Sequence, residues 1–202
     1  MIKRMIQLFQ NLIGRTVLPD GETGKGNADT EISSADNLSG SGQAQQDESV
    51  MQTQDRKTFE RGVNESLSRG RGTGCLLVCD VDRCKEINDT YGHDTGNAVL
   101  VCVGDTLRSV FEECTCFGSF GGDVFALWLS EASGDNAGDI RRKVGIVNDR
   151  LLHPMGELPP VSVSAGAVFY NADDDCKALI KKAYKALYLV KGSGKCGCEV
   201  WR

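Results

Sequence analysis

Two short stretches place carboxylates where backbone can come close to a phosphate. They are Gly121-Gly122-Asp123-Val124-Phe125 and, about forty residues earlier, Asp80-Val81-Asp82. Two glycines and then an acid, with β-forming residues on either side, predict a β-hairpin whose tip carries the carboxylate. Cys116, Phe117 and Phe120 precede the turn and Val124 to Leu129 follow it. Asp80 ends the apolar run Cys75-Leu76-Leu77-Val78-Cys79, which predicts a fully buried strand. Carboxylates at strand ends are hard oxygen ligands and can hold Mg²⁺ against a phosphate. Taken singly, each motif is more often the mark of an ordinary turn or strand end. The surrounding elements must decide.

Those elements follow from periodicity. Phe59, Val63 and Leu67 predict an amphipathic helix ending near Arg69 and Gly70. After the strand to Val81, Asp82 to Asn97 is a polar stretch with a helical turn and two glycines. A helix from about Asn97 to Glu113 is predicted to bury Leu100, Val103, Leu107, Val110 and Phe111. The hairpin comes next, then an acidic loop (Glu131 to Asp139) and a helix from Ile140 to Leu152. A strand over Val161 to Phe169, a helix over Cys176 to Val190 and a strand near Cys198 to Trp201 complete the series. After the first helix the order is β-α-β-β-α-β-α-β. This predicts an α+β fold with a central, mostly antiparallel sheet flanked by helices.

Composition narrows the function classes. The chain has 202 residues, a net charge of −5 and 25% charged residues, enough for one globular domain and a tail. An acidic balance argues against nucleic acid as partner. No apolar run approaches the roughly 18 to 20 residues that span a bilayer. No secretory signal is evident, so a cytoplasmic location is expected. The nine cysteines are odd in number, and several sit inside apolar periodic segments, as small hydrophobes do in a reducing compartment. The pairs Cys114/Cys116 and Cys196/Cys198 lack the spacing of structural zinc sites.

Residues 1–18 place Ile2, Met5, Ile6, Phe9, Leu12 and Ile13 at helical spacing beside Lys3, Arg4 and Arg15. This predicts a short basic amphipathic helix. It suits the inner membrane surface, a protein partner or docking on its own domain. Residues 19–50 are rich in Gly, Ser, Asp, Asn and Gln and poor in large apolar residues, so they are expected to form a flexible, disordered acidic linker. The folded domain is expected over 51–202.

Four ordered blocks carry a family resemblance. Asp80-Val81-Asp82-x-x-Lys85-x-Ile87-Asn88-Asp89-x-x-Gly92-His93-x-x-Gly96 comes first, and Gly121-Gly122-Asp123-x-Phe125 second. Ser164-x-Gly166-x-Val168 and Leu187-Tyr188-x-x-Lys191-x-x-Gly194-Lys195 follow. Together they resemble the GGDEF domain of diguanylate cyclases, over about residues 55–202. The resemblance implies a fold similar to the polymerase palm and the class III nucleotidyl cyclases. It implies a reaction in which two domains, each holding one GTP, face each other as a homodimer. Each 3′-hydroxyl attacks the α-phosphorus of the other GTP, yielding cyclic di-GMP and pyrophosphate with Mg²⁺ or Mn²⁺ as cofactor. By position, Asp80 and Asp123 resemble the catalytic, metal-binding carboxylates, with the Val81 carbonyl a third ligand. Lys85, Lys191 and Lys195 resemble phosphate contacts, and Asn88 and Asn97 stand at the two guanine-reading positions. Gly121 and Gly122 would let backbone approach the nucleotide. His93 is expected to be structural.

Departures from the family pattern bear on activity. Val124 stands where the family has glutamate, which removes a carboxylate beside the metals. Asn97 replaces an aspartate that accepts from two guanine N–H groups; a neutral amide both donates and accepts. Guanine affinity should fall and purine choice relax, so the partner is GTP or another purine nucleotide. Lys195 replaces an arginine and offers a point charge in place of a bidentate fork. Residues 48–55 do not repeat the family's Asp-x-Leu-Thr-x-Leu-x-Asn. The Arg-x-x-Asp of product-inhibited members is replaced by Glu112 and Thr115, so no feedback site of that type is expected. The expectation is weak or absent cyclase activity, and the alternatives are a silent regulatory module or a cyclase of relaxed selectivity.

Overall fold

The computed structural model describes residues 53–69 and 72–201. The expected helix over 1–18 and linker over 19–50 lie outside them. Helix α1 (Arg56–Ser68) opens on Asp55, whose carboxylate accepts from the Thr58 N–H (2.7 Å) and satisfies one of the helix's unpaired donors. Its apolar stripe buries Phe59 and Val63. Strand β1 (Cys75–Val81) is buried almost throughout, as its unbroken apolar run requires.

Two helices follow where the sequence suggested one. Helix α2 (Cys84–Tyr91) and helix α3 (His93–Val110) meet at Gly92, which adopts φ 86°. Strand β2 (Cys116–Ser119) and strand β3 (Val124–Leu129) form the expected hairpin. Helix α4 (Ala137–Leu152), strand β4 (Val163–Phe169), helix α5 (Cys176–Gly192) and strand β5 (Gly197–Trp201) complete the domain.

The five strands form one sheet in the order β2-β3-β1-β4-β5, antiparallel except for the parallel pair β4–β5. Alternation along β1 sends Cys75, Leu77, Cys79 and Val81 to a core shared with α3 and α4, and Leu76 and Val78 to one shared with α1 and α5. Val103, Leu107 and Phe111 are buried as expected, while Leu100 and Val110 are only half-covered at the margin. Cys75, Cys79, Cys84, Cys116 and Cys176 are buried.

Two close approaches fix the helices on the sheet. A Cβ on Gly166 would lie 2.1 Å from the Ala183 carbonyl, so α5 rests directly on the β4 backbone. Buried Asn148 of α4 bonds both backbone groups of Val163, accepting from its N–H (2.7 Å) and donating to its C=O (3.0 Å). This pins the start of β4. No helix among the described residues is long and apolar enough to cross a membrane.

Candidate active site

The β1–β3 ladder ends with Asp80 opposite Val124. Gly121 and Gly122, at φ 98° and 60°, turn the hairpin tip back. The Val81 N–H then donates to the Asp123 carbonyl (3.0 Å). The hairpin thereby sets its carboxylate at the end of β1, next to Asp80. The two acids that the sequence separates by about forty residues come together at this end of the sheet.

The C-terminal end of α5 brings Lys191 to the same place. Its ammonium lies 2.5 Å from Asp80 Oδ1, 2.7 Å from Asp82 Oδ1 and 3.4 Å from the Asp80 carbonyl. Asp82 is 4% exposed and fully engaged. Oδ1 also accepts from Ser164 Oγ (2.8 Å), and Oδ2 accepts from Ser162 Oγ (2.7 Å) and the Cys196 N–H (3.1 Å). Sequence reasoning left Asp82, Ser162 and Ser164 without a role. The available signal was the Ser-x-Ser alternation, which puts two hydroxyls on one face of the strand.

Burial sets the electrostatics. It pushes the Asp80 carboxyl up to about 6 against the pull of Lys191, and the charges of Asp123 and Asp82 add to the rise. Burial also opposes the charge on Asp82, but the hydrogen bonds from Lys191 and Ser162, the Lys191 charge and the bond from Ser164 outweigh it and hold Asp82 below the usual carboxylate range. Desolvation pulls Lys191 down, and its two carboxylate partners more than compensate, so its ammonium is retained.

Asn88 and Asn97, the two residues expected to meet the purine, lie on α2 and α3 on either side of the Gly92 junction. A Cβ on Gly96 would fall 1.7 Å from Asn88 Oδ1, so the Asn88 carboxamide occupies the space that glycine leaves. Asn97 is exposed one residue on. Lys85 stands apart: it lies on the exposed face of α2 and pairs with Asp89 (2.6 Å). Lys195 lines a cleft of about 440 Å³ together with Asp82, Arg83, Tyr91, Ser162 and Cys196. His93, at the start of α3, is exposed.

The donor set suits a hard divalent cation. Lys191 already stands as a cation against Asp80, and Asp80 and Asp123 supply carboxylate oxygens. Among the described residues no three His, Cys, Asp or Glu side chains are arranged to hold a metal ion by themselves. Two carboxylates completed by phosphate oxygens and water is the arrangement Mg²⁺ favours.

Comparison with known proteins gives the lineage. Residues 49–196 match the family described as diguanylate cyclase, GGDEF domain. The chain is 36% identical over 148 residues to diguanylate cyclase DosC of Escherichia coli, an overlap covering 71% of this chain and 32% of that protein. It thus spans about a third of the length of that curated relative. Among solved structures, the active GGEEF domain of a diguanylate cyclase from Vibrio cholerae aligns with TM-score 0.67 and 25% identity, over 75% of this chain and 99% of that one. The GGDEF domain of YfiN from Pseudomonas aeruginosa aligns with TM-score 0.67 and 26% identity, over 75% and 98%. The five-stranded sheet, the hairpin-borne acid and these matches together make this chain a member of the GGDEF domain family.

Proposed function

We propose that the domain binds a purine nucleoside triphosphate with a divalent ion and acts in cyclic di-GMP signalling with weak or absent cyclase turnover. The observation that carries this reading is the end of the β1–β3 ladder, where Asp80 and Asp123 remain but Val124 stands directly opposite Asp80. Asp80 and Asp123, with the Val81 carbonyl, would hold the ion, which when bound offsets phosphate charge. Lys191 and Lys195 face the phosphates, and Gly121 and Gly122 leave the hairpin backbone open to them. Asn88 and Asn97 contact the purine edge. Asn97 lacks aspartate's double acceptor and relaxes the choice between guanine and adenine. Lys85, paired with Asp89, reaches phosphate only by leaving that partner.

Phosphodiester formation would need the site of a second copy, since each domain contributes one nucleotide. Val124 leaves the cation site one carboxylate short, and this supports binding without efficient turnover. A regulatory module is the outcome for a domain that keeps its nucleotide and does not consume it. Equilibrium titration of GTP and ATP with Mg²⁺ tests the reading. Binding is expected for GTP, with ATP within about tenfold, and Asp123→Ala should abolish the Mg²⁺ dependence. Absence of nucleotide binding to the wild-type chain would overturn it.

A further inference from the structure

Asp82 is a buried carboxylate whose hydrogen-bond partners are all protein groups, none of them at the expected purine positions. All its oxygen capacity is taken up by protein donors, Ser164 of β4 and Ser162 just before it, Lys191 of α5, and the Cys196 N–H in the segment before β5. A carboxylate at 4% exposure is sustained only by such saturation. Backbone strain gathers around it. The positive-φ residues other than glycine among the described residues are Arg83 (58°), Lys195 (69°) and Cys196 (53°). One follows Asp82 directly, one donates its N–H to it, and the third precedes that donor. Such conformations persist where the surroundings over-determine them.

We propose that Asp82 is a positioning residue for the phosphate-facing cations: it shares the Lys191 ammonium with Asp80 and fastens the strained segment that presents Lys195. Asp80 is a metal carboxylate, and an ammonium held by Asp80 alone would cover it. Asp82 draws part of that ammonium away and leaves Asp80 able to exchange Lys191 for a metal–phosphate pair. The Cys196 N–H bond to Asp82 fastens the left-handed segment that carries Lys195. This rests on nucleotide binding at the site and assigns the triphosphate end of that site to one buried residue.

The test compares GTP with guanosine, which lacks phosphate, on the full chain carrying Asp82→Asn. This variant keeps the shape and removes the charge. The GTP affinity should fall by about tenfold or more, the scale of a lost charge-assisted hydrogen bond. Guanosine affinity should stay within about twofold of wild type, which a general loosening of the fold would not give. In a chain already carrying Lys191→Gln and Lys195→Gln, Asp82→Asn should change GTP affinity little, because the groups it positions are gone.

Wild type that binds GTP, with Asp82→Asn of equal GTP affinity or with equal losses for GTP and guanosine, overturns the inference alone. Wild type that binds no GTP overturns the nucleotide reading and this inference with it. Should Asp82→Asn not fold, Ser162→Ala keeps the charge and removes one donor to Oδ2. It should lower the GTP-to-guanosine ratio about threefold, and an unchanged ratio counts against the proposal.

Discussion

Val124 and Asp80 are cross-strand partners, so their Cβ atoms lie on the same face of the sheet, within about 5.5 Å of each other. A glutamate at 124 would place its carboxylate beside Asp80 and Asp123, where a cation gains a further ligand. Val124→Glu is therefore expected to raise cyclic dinucleotide formation by at least about tenfold, read by product mass. It should also cost about 1 kcal/mol of stability without metal, read by denaturant titration. That cost arises because Val124 is half-buried against the core that includes Phe59 and Trp128, and because a third charge joins two acids. The legibility of these residues divides by environment. Asp80, Asp123 and Lys191 stood out because each sits in a motif at a strand or helix end. Asp82 did not, because its role arises only where β1, β4, α5 and the segment before β5 converge, and no local pattern marks that.

Elements position these side chains through close approach. At Gly166 a Cβ would meet α5 backbone, the Ala183 carbonyl at 2.1 Å and the Leu187 nitrogen at 2.3 Å, neither of which can turn aside. Gly166→Ala should therefore lift α5 from β4, cost about 1–3 kcal/mol in thermal or chemical unfolding, and weaken GTP binding as Lys191 withdraws. Gly96→Ala is different in kind, because the atom in its way is the movable Asn88 carboxamide. Stability should change little while purine affinity falls about fivefold to tenfold, as Asn88 loses its placement.

The sheet, the hairpin and α1, α4 and α5 were readable from period and turn chemistry. The division of Asp82 to Asn97 into two helices was not. Helix α2 buries only Cys84 and Ile87, too few residues to show a stripe, and opens on Arg83 without a side-chain cap. The start of β4 at Val163, two residues later than alternation suggested, follows from the Asn148 clamp.

At the scale of the whole domain, the thiols tie stability to alkaline pH. Burial pushes Cys75, Cys176 and Cys198 up to about 12 and Cys114 to about 11, from an ordinary 9.0. Below pH 9.0 folded and unfolded chains both hold these protons, and the contribution to stability is fully present. As pH rises toward 12 the unfolded chain ionises first, so stability falls, by up to about 1.4 kcal/mol per pH unit for each such thiol. Denaturant midpoints between pH 8 and 11 should show this decline, steepening beyond about 9, and Cys75→Ala should lessen it.

Cys196 is exposed, whereas Cys75 and Cys79 lie in the core. A thiol reagent should therefore modify Cys196 first and reach the strand cysteines only on global opening.

On the proposed reading, one side chain, Val124, leaves the nucleotide site in form and weakens its turnover. The most direct measurement is a mass-resolved assay of GTP with Mg²⁺ on wild type and Val124→Glu at equal concentration. Wild type should leave GTP nearly intact, and the glutamate variant should form the cyclic dinucleotide at least about tenfold faster. Equal, efficient turnover by the two would contradict that reading.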